Sequence, residues 1–235
     1  MKRFAPVLLL AVAGCSGGLQ SNSSAEQIYV MRPTNGPNTA LQPLDVVLRV
    51  GRPQAQPGLD TPRIVLIQSD RRMSHFQGSR WPEDVPEMLE ALTVETFRNT
   101  NALRGVQDSL SPFAGDYFLQ LSVRRFEADY SRGGVAPEVR IVLDCTVGAR
   151  RGRETLVSFV AEGTAPAADN RLGAVVAAFE TATNTALATV TQRTFDIMRE
   201  TIATHAKEEA DIAARGGVIA PPAQNVERPA PSMRR

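Results

Sequence analysis

Chemistry has few places to start in this chain. Its 235 residues hold two cysteines and two histidines. Cys145 stands in an alternating apolar stretch, in phase with Leu143 and Val147. That makes it a buried core thiol rather than a nucleophile, and no histidine lies near it in sequence to favour the thiolate. His75 and His205 are far apart, and neither stands at a metal-ligand spacing, so no metal and no cofactor are expected. The adjacent acids Glu83-Asp84 and Glu208-Glu209 fall at a helix start and in a late polar segment. They read as solvated surface. No G-x-S-x-G, S-x-x-K, H-E-x-x-H, Walker A or G-x-G-x-x-G pattern occurs. These residues predict no catalytic site, and so no enzyme.

Cys15 is different. Lys2 and Arg3 precede an apolar run over residues 4–13 that only Pro6 interrupts. The run is about half the ~20 residues that a membrane-spanning helix needs. A basic start, a short apolar stretch and small residues at its end describe an export signal. Val12-Ala13-Gly14-Cys15 has the pattern of the bacterial lipobox: an aliphatic residue, two small residues and a cysteine. Small side chains let a signal peptidase approach the backbone before Cys15. Its thiol takes a diacylglycerol, and its freed amino group can take a further chain such as palmitate. Residues 1–14 are therefore expected to be a lipoprotein signal peptide and Cys15 the lipidation site. Two or more acyl chains hold stably at ~0.8 kcal/mol per buried CH₂. Ser16 follows, where Asp would retain an enteric lipoprotein at the inner membrane. The expected place is the outer membrane, facing the periplasm.

The full chain carries 26 basic against 25 acidic residues, and without Lys2 and Arg3 the count is 24 against 25. No basic field exists to attract nucleic acid. With Cys15 acylated, Cys145 has no partner for a structural disulfide. Residues 16–27, "SGGLQSNSSAEQ", complete a lipidated flexible tether over 15–27 with a reach of roughly 20 Å.

The elements that must carry any binding surface follow from periodicity. Residues 45–52 place Val46, Leu48 and Val50 on one face of a strand. Residues 63–68, "RIVLIQ", read as a strand buried on both faces. Residues 73–81 are a weaker strand with Gly78 inside. From residue 82 to 100 the period changes, and Val85, Met88, Leu89, Leu92 and Thr96 or Phe97 form one helical stripe. Glu83, Asp84 and Pro86 suit its first turn, while Glu87, Glu90 and Glu95 fall mostly off the stripe, toward solvent. Trp81 and Phe76 read as core.

Residues 117–123 alternate, with Tyr117, Leu119, Leu121 and Val123 on one side. The phase changes between Arg125 and Phe126, which predicts a bulge or a strand end. Residues 139–147 alternate again, 149–153 ("ARRGR") form a turn, and 155–162 return as a hairpin partner. Residues 172–203 make a long alanine-rich helix. Beyond His205 the pattern fades, and 206–235 is expected to be a disordered Pro/Arg-rich tail. The fold class expected is α/β: one mixed-sheet domain over 28–205, with two amphipathic helices packed on the sheet.

Several of these stretches, in order, carry a resemblance. They are "VAGC", "QIYVMRP", "TPRIVLIQSDRRMSHFQGSRWPEDVPEMLEALTVETF", "YFLQLSVRRFEADY", "PEVRIVLDCTV" and the long last helix. Together they resemble the ABC-type transport auxiliary lipoproteins, the paraquat-inducible protein C-like outer-membrane lipoproteins. The Trp81-Pro82 step into an amphipathic helix is the most recognisable part. The resemblance implies a non-enzymatic auxiliary component of an ABC lipid-transport system, docking a periplasmic mammalian-cell-entry (MCE) domain protein. It implies no catalytic residue, and only Cys15 carries over as a functional position. Because MCE assemblies are rings, a homo-oligomer with head-to-tail contacts is expected. The competing expectation is another envelope-assembly lipoprotein, pilotin-like or a lipopolysaccharide-assembly factor. A periplasmic hydrolase would instead need clustered polar residues in a cleft with shifted pKa values.

Overall fold

The computed structural model describes residues 26–33 and 41–215. In chain order these form β1 (Gln27–Ile28), β2 (Leu44–Val50), β3 (Gln54–Ala55), β4 (Arg63–Ile67), β5 (Met73–Arg80) and α1 (Val85–Asn99). There follow β6 (Leu103–Gln107), β7 (Tyr117–Asp129), β8 (Glu138–Ala149), β9 (Glu154–Pro166) and α2 (Leu172–Ala214). The fold is thus α/β, with one mixed sheet and two helices.

β7 is the spine. Its alternation buries Tyr117, Leu119, Leu121 and Val123 and turns Phe118, Gln120, Ser122 and Arg124 the other way. The register against β8 steps from Val123↔Leu143 to Arg125↔Val142. Arg124 is the extra residue of a bulge, which returns Phe126 and Ala128 to the core. The strand continues through the phase change. β8 and β9 complete an antiparallel meander, with Ala149 opposite Glu154. Gly152 (φ 81°) and Arg153 (φ 52°) supply the left-handed backbone of its turn.

The other edge of β7 takes three strands in succession, all parallel to it. Leu48 of β2 lies opposite Tyr117, Gln54 of β3 opposite Ser122, and Leu66 of β4 opposite Ala128. β6 adds parallel to β2. β5 adds antiparallel to β4, and β1 parallel to β5. The sheet therefore forks, and its two ends can be named by Tyr117 and Asp129.

One face of the sheet is covered. Trp81 is fully buried and meets Phe126 of β7 and Phe179 of α2 edge-on, at ring distances of 6.1 and 5.3 Å. Phe97 of α1 stacks on Phe195 of α2 at 6.1 Å. Buried threonines satisfy themselves within the helices: Thr93, Thr96 and Thr191 donate to the carbonyls of Leu89, Leu92 and Leu187. The α1 stripe is buried as its spacing requires.

Four expectations need correcting. Glu90 is buried, because the loop after β6 folds back onto α1 and offers it the Ser109 N–H at 2.6 Å. β4 is buried at Ile64 and Val65 but half-exposed at Leu66 and Ile67, since the helices cover only one face of the sheet. β6 lies between the first helix and β7, where no strand was expected. α2 continues to Ala214, so residues 206–214 are helical and not disordered. Among the described residues, none after Met198 is buried. Alanine-rich propensity and an Arg151–Glu209 ion pair at 3.1 Å carry that last stretch. The expected signal peptide, Cys15, most of the tether and residues 216–235 lie outside the described residues.

Candidate functional site

The residues singled out by chemistry are not brought together. Cys145 faces the helices from β8 and is buried. Burial, helped by the charge of Asp144, pushes its thiol up to about 12. A thiol held neutral is a core group and not a nucleophile. His75, in β5, contacts the Arg63 guanidinium and lies 3.3 Å from the Gln77 amide. His205 sits on α2 beside Arg150 and Arg151 at the hairpin turn. Asp84 is the N-cap of α1, with extended backbone and no side-chain cap bond. Glu209 pairs with Arg151.

Asp84 does belong to a group of carboxylates. Ligand oxygens of Asp60, Asp84 and Glu87 lie within 4.8 Å of one another. Oxygen donors of this kind suit hard cations such as calcium. The Arg52 guanidinium already engages Glu87, and Asp60 is exposed.

The helix-free face carries a charged cleft, about 560 Å³, at the Asp129 end. The bulge at Arg124 is what aims Arg125, Glu127 and Asp129 into it. Arg125 pairs with Glu127 at 3.1 Å, Arg140 with Asp129 at 3.7 Å and Arg124 with Asp144 at 3.2 Å. Glu127 and Asp129 are nearly inaccessible, yet they shift in opposite directions. Burial raises the Glu127 carboxyl, and Arg125 only partly opposes it. Burial also works upward on Asp129, but hydrogen bonds from Ser131 and the charge of Arg140 outweigh it and hold that carboxyl below its usual range. Carboxylates driven apart are one mark of acid–base sites. Here both acids are engaged by arginine, and the Ser131 hydroxyl beside Asp129 serves to hold that carboxylate charged. The cleft reads as an ion-pair network that joins β7 to β8.

One group of exposed apolar residues lies toward the Tyr117 end. Leu110 is 91% exposed and Phe113 70%, both on the loop from β6 to β7. Phe118 of β7 is 40% exposed on the helix-free face, beside Gly51. Arg49, Arg150 and Arg153 line the same recess. The loop is held firmly under these side chains. Asp116 accepts the Val47 N–H at 2.8 Å and Arg104 at 2.9 Å, and Arg49 donates to the Ser109 carbonyl at 2.7 Å. Exposed aromatic side chains rimmed by arginine have the composition of protein interfaces. This surface was missed in the sequence because "SLSPFAGD" reads as a loop and no periodicity marks its apolar residues.

β1 gives the domain a polarity. It runs parallel to β5 beside Ser79 and Arg80, in the direction that leads from the Asp129 end toward the Tyr117 end, and an ion pair between Glu26 and Arg80 at 3.1 Å holds its start. Among the described residues, no helix is long and apolar enough to cross a membrane.

Comparison with known proteins gives a family match. The sequence profile of the family described as "ABC-type transport auxiliary lipoprotein component" matches residues 29–191. The domain is similar to a crystal structure of a Xanthomonas campestris protein at 25% identity and a TM-score of 0.70. That match covers 75% of this chain and 99% of the other. A second crystal structure, of an uncharacterized protein, matches at 13% identity and a TM-score of 0.57, covering 72% and 99%. No curated protein sequence matches the chain.

Proposed function

The chain belongs to the ABC-type transport auxiliary lipoprotein component family, and from that premise we propose that it is a lipid-anchored, non-enzymatic docking module of the outer membrane. Membership makes it an envelope lipoprotein and a transport auxiliary. In our reading Cys15 carries the lipid, residues 1–14 are removed, and residues 15–27 tether the domain on the periplasmic side. Its partner is the periplasmic MCE-domain protein of an ABC lipid transporter, met by several copies arranged in a ring.

The observation that carries this reading is the polarity of the domain. The anchor-side strand β1 points toward the Tyr117 end, where Phe113, Phe118, Arg150 and Arg153 are presented. A tethered module built this way offers its interface away from the membrane that holds it. Hot spots of binding are enriched in aromatic residues and arginine.

A pull-down from membranes tests it. The lipidated chain should recover an MCE-domain protein, and Phe113→Asp with Arg150→Glu should lose that capture while melting like the parent. Recovery of no MCE protein under conditions that preserve such complexes would overturn the reading. Recovery of a secretin or a lipopolysaccharide-assembly component would replace the partner with that of another envelope-assembly pathway.

A further inference from the structure

Along the outer side of α1 runs a groove of about 600 Å³ with a mostly apolar floor. Ala91, Val94 and Leu110 make that floor, and Leu110 is almost wholly exposed above it. Four carboxylates line the groove, Glu95 and Asp108 among them, against two guanidiniums, Arg52 and Arg98. Arg98 is turned to the Val106 carbonyl at 3.0 Å and Arg52 to Glu87, so neither neutralises Glu95. The surface is apolar in the middle and acidic at the rim.

The chain itself contains the complementary chemistry. Residues 216–235 read "GGVIAPPAQNVERPAPSMRR". Arg228, Arg234 and Arg235 stand against Glu227 alone, and Val218, Ile219, Val226 and Met233 are set among four prolines. Proline-rich segments favour an extended helix that loses little entropy on docking into an apolar groove.

The distances allow it. Phe195, which stacks on Phe97 near the end of α1, is about 20 residues before Arg215, or about 30 Å along α2. The 15 residues of α1 add about 22 Å. Residues 216–235 span about 60 Å as an extended proline-rich helix, more than the ~52 Å needed to return and run the length of α1.

We propose that residues 216–235 dock in cis along the α1 groove, with their apolar residues over Ala91, Val94 and Leu110 and their arginines at the acidic rim. A segment tethered this way has an effective concentration on the order of millimolar, so a weak contact suffices. Any partner that uses the α1 groove must then displace it.

Disulfide trapping in the full chain tests this, in a Cys15→Ser background with Cys145 buried. Ala91→Cys paired with Ser232→Cys should close an intrachain bridge about tenfold faster than Thr185→Cys, on the exposed side of α2, paired with the same tail cysteine. The rate should not change on dilution, and Glu95→Lys or high salt should remove most of the advantage. Ala91, Glu95 and Thr185 are exposed, so the variants should fold like the parent. Equal rates for the two pairs would overturn the proposal. Bridges that form only between chains, and grow with concentration, would overturn it as well and give the groove to a second copy.

Discussion

Gly163 of β9 lies directly against Ala182 of α2: a β-carbon at Gly163 would stand 1.9 Å from the Ala182 carbonyl oxygen. No side chain fits in that space, so the helix and the strand touch backbone to backbone. The small residues at this crossing, Gly163, Ala182 and Ala186, are what let α2 lie along β9 and β8.

Gly163→Ala should therefore destabilise the domain by about 3 kcal/mol or more, as overpacking against backbone has no flexible neighbour to give way. Gly173→Ala is the control. Nothing lies within 4 Å of its added methyl, and it sits in the first turn of α2. That change should leave stability equal or raise it by about 0.5–1 kcal/mol. Urea unfolding of the two variants beside the parent decides the point.

Trp81 is the sole tryptophan, so its fluorescence reports on this core directly. Emission should be blue-shifted when folded and move red in one step on unfolding. Trp81→Ala should cost about 3–5 kcal/mol, since it empties the space between Phe126 and Phe179. Trp81→Phe should cost much less. The indole Nε1 has no hydrogen-bond partner, so the phenyl ring gives up no bond and removes a buried orphan donor. Thermal melts followed by circular dichroism measure both.

The ion-pair network on the helix-free face predicts two opposite pH responses. The folded Glu127 carboxyl is raised, so the native state holds its proton more tightly than the unfolded chain. Its share of stability is present below the ordinary carboxyl value of 4.5 and is lost as pH rises through the higher folded value. Glu127→Gln should flatten that decline. The folded Asp129 carboxyl is lowered, so its share is present above the ordinary value of 3.8 and is lost as pH falls through the lower folded value. Asp129→Asn should cost about 2 kcal/mol near neutrality and progressively less as pH falls through the lowered value of the folded carboxyl. Unfolding free energies across the pH range, for each variant against the parent, should show slopes changed in opposite senses.

The two cysteines should separate cleanly by location and reactivity. Cys15→Ser should release the chain from the membrane fraction, because the anchor proposed for it needs that thiol. In the same variant Cys145 should resist a thiol reagent at neutral pH, being buried with its pKa pushed up to about 12. Its labelling should then follow the unfolding curve. Prompt labelling of the native protein would contradict a core thiol.

Long elements were legible before any coordinates. The alternation through Tyr117, Leu119, Leu121 and Val123, and through Val139 to Val147, has the period of a strand and appears as one. The α1 stripe and the first part of α2 repeat at helical spacing often enough to mark a face. Even the bulge at Arg124 was visible as a change of phase. β1, β3 and β6 were not, because two to five residues carry no period that distinguishes them from loop.

Tertiary structure decided the rest, for reasons that no local pattern carries. Glu90 has the type and spacing of a solvent-facing acid, and it is buried because Ser109, distant in sequence, arrives with a free N–H. The succession of β2, β3 and β4 along one edge of β7 is a matter of pairing between remote segments. The charged cleft exists because a one-residue bulge turns Arg125, Glu127 and Asp129 to the same side as Arg140. Sequence by itself determined which faces of the long elements had to be buried. Which polar groups meet, and which apolar ones are left for another molecule to cover, depended on contacts between residues far apart in the chain.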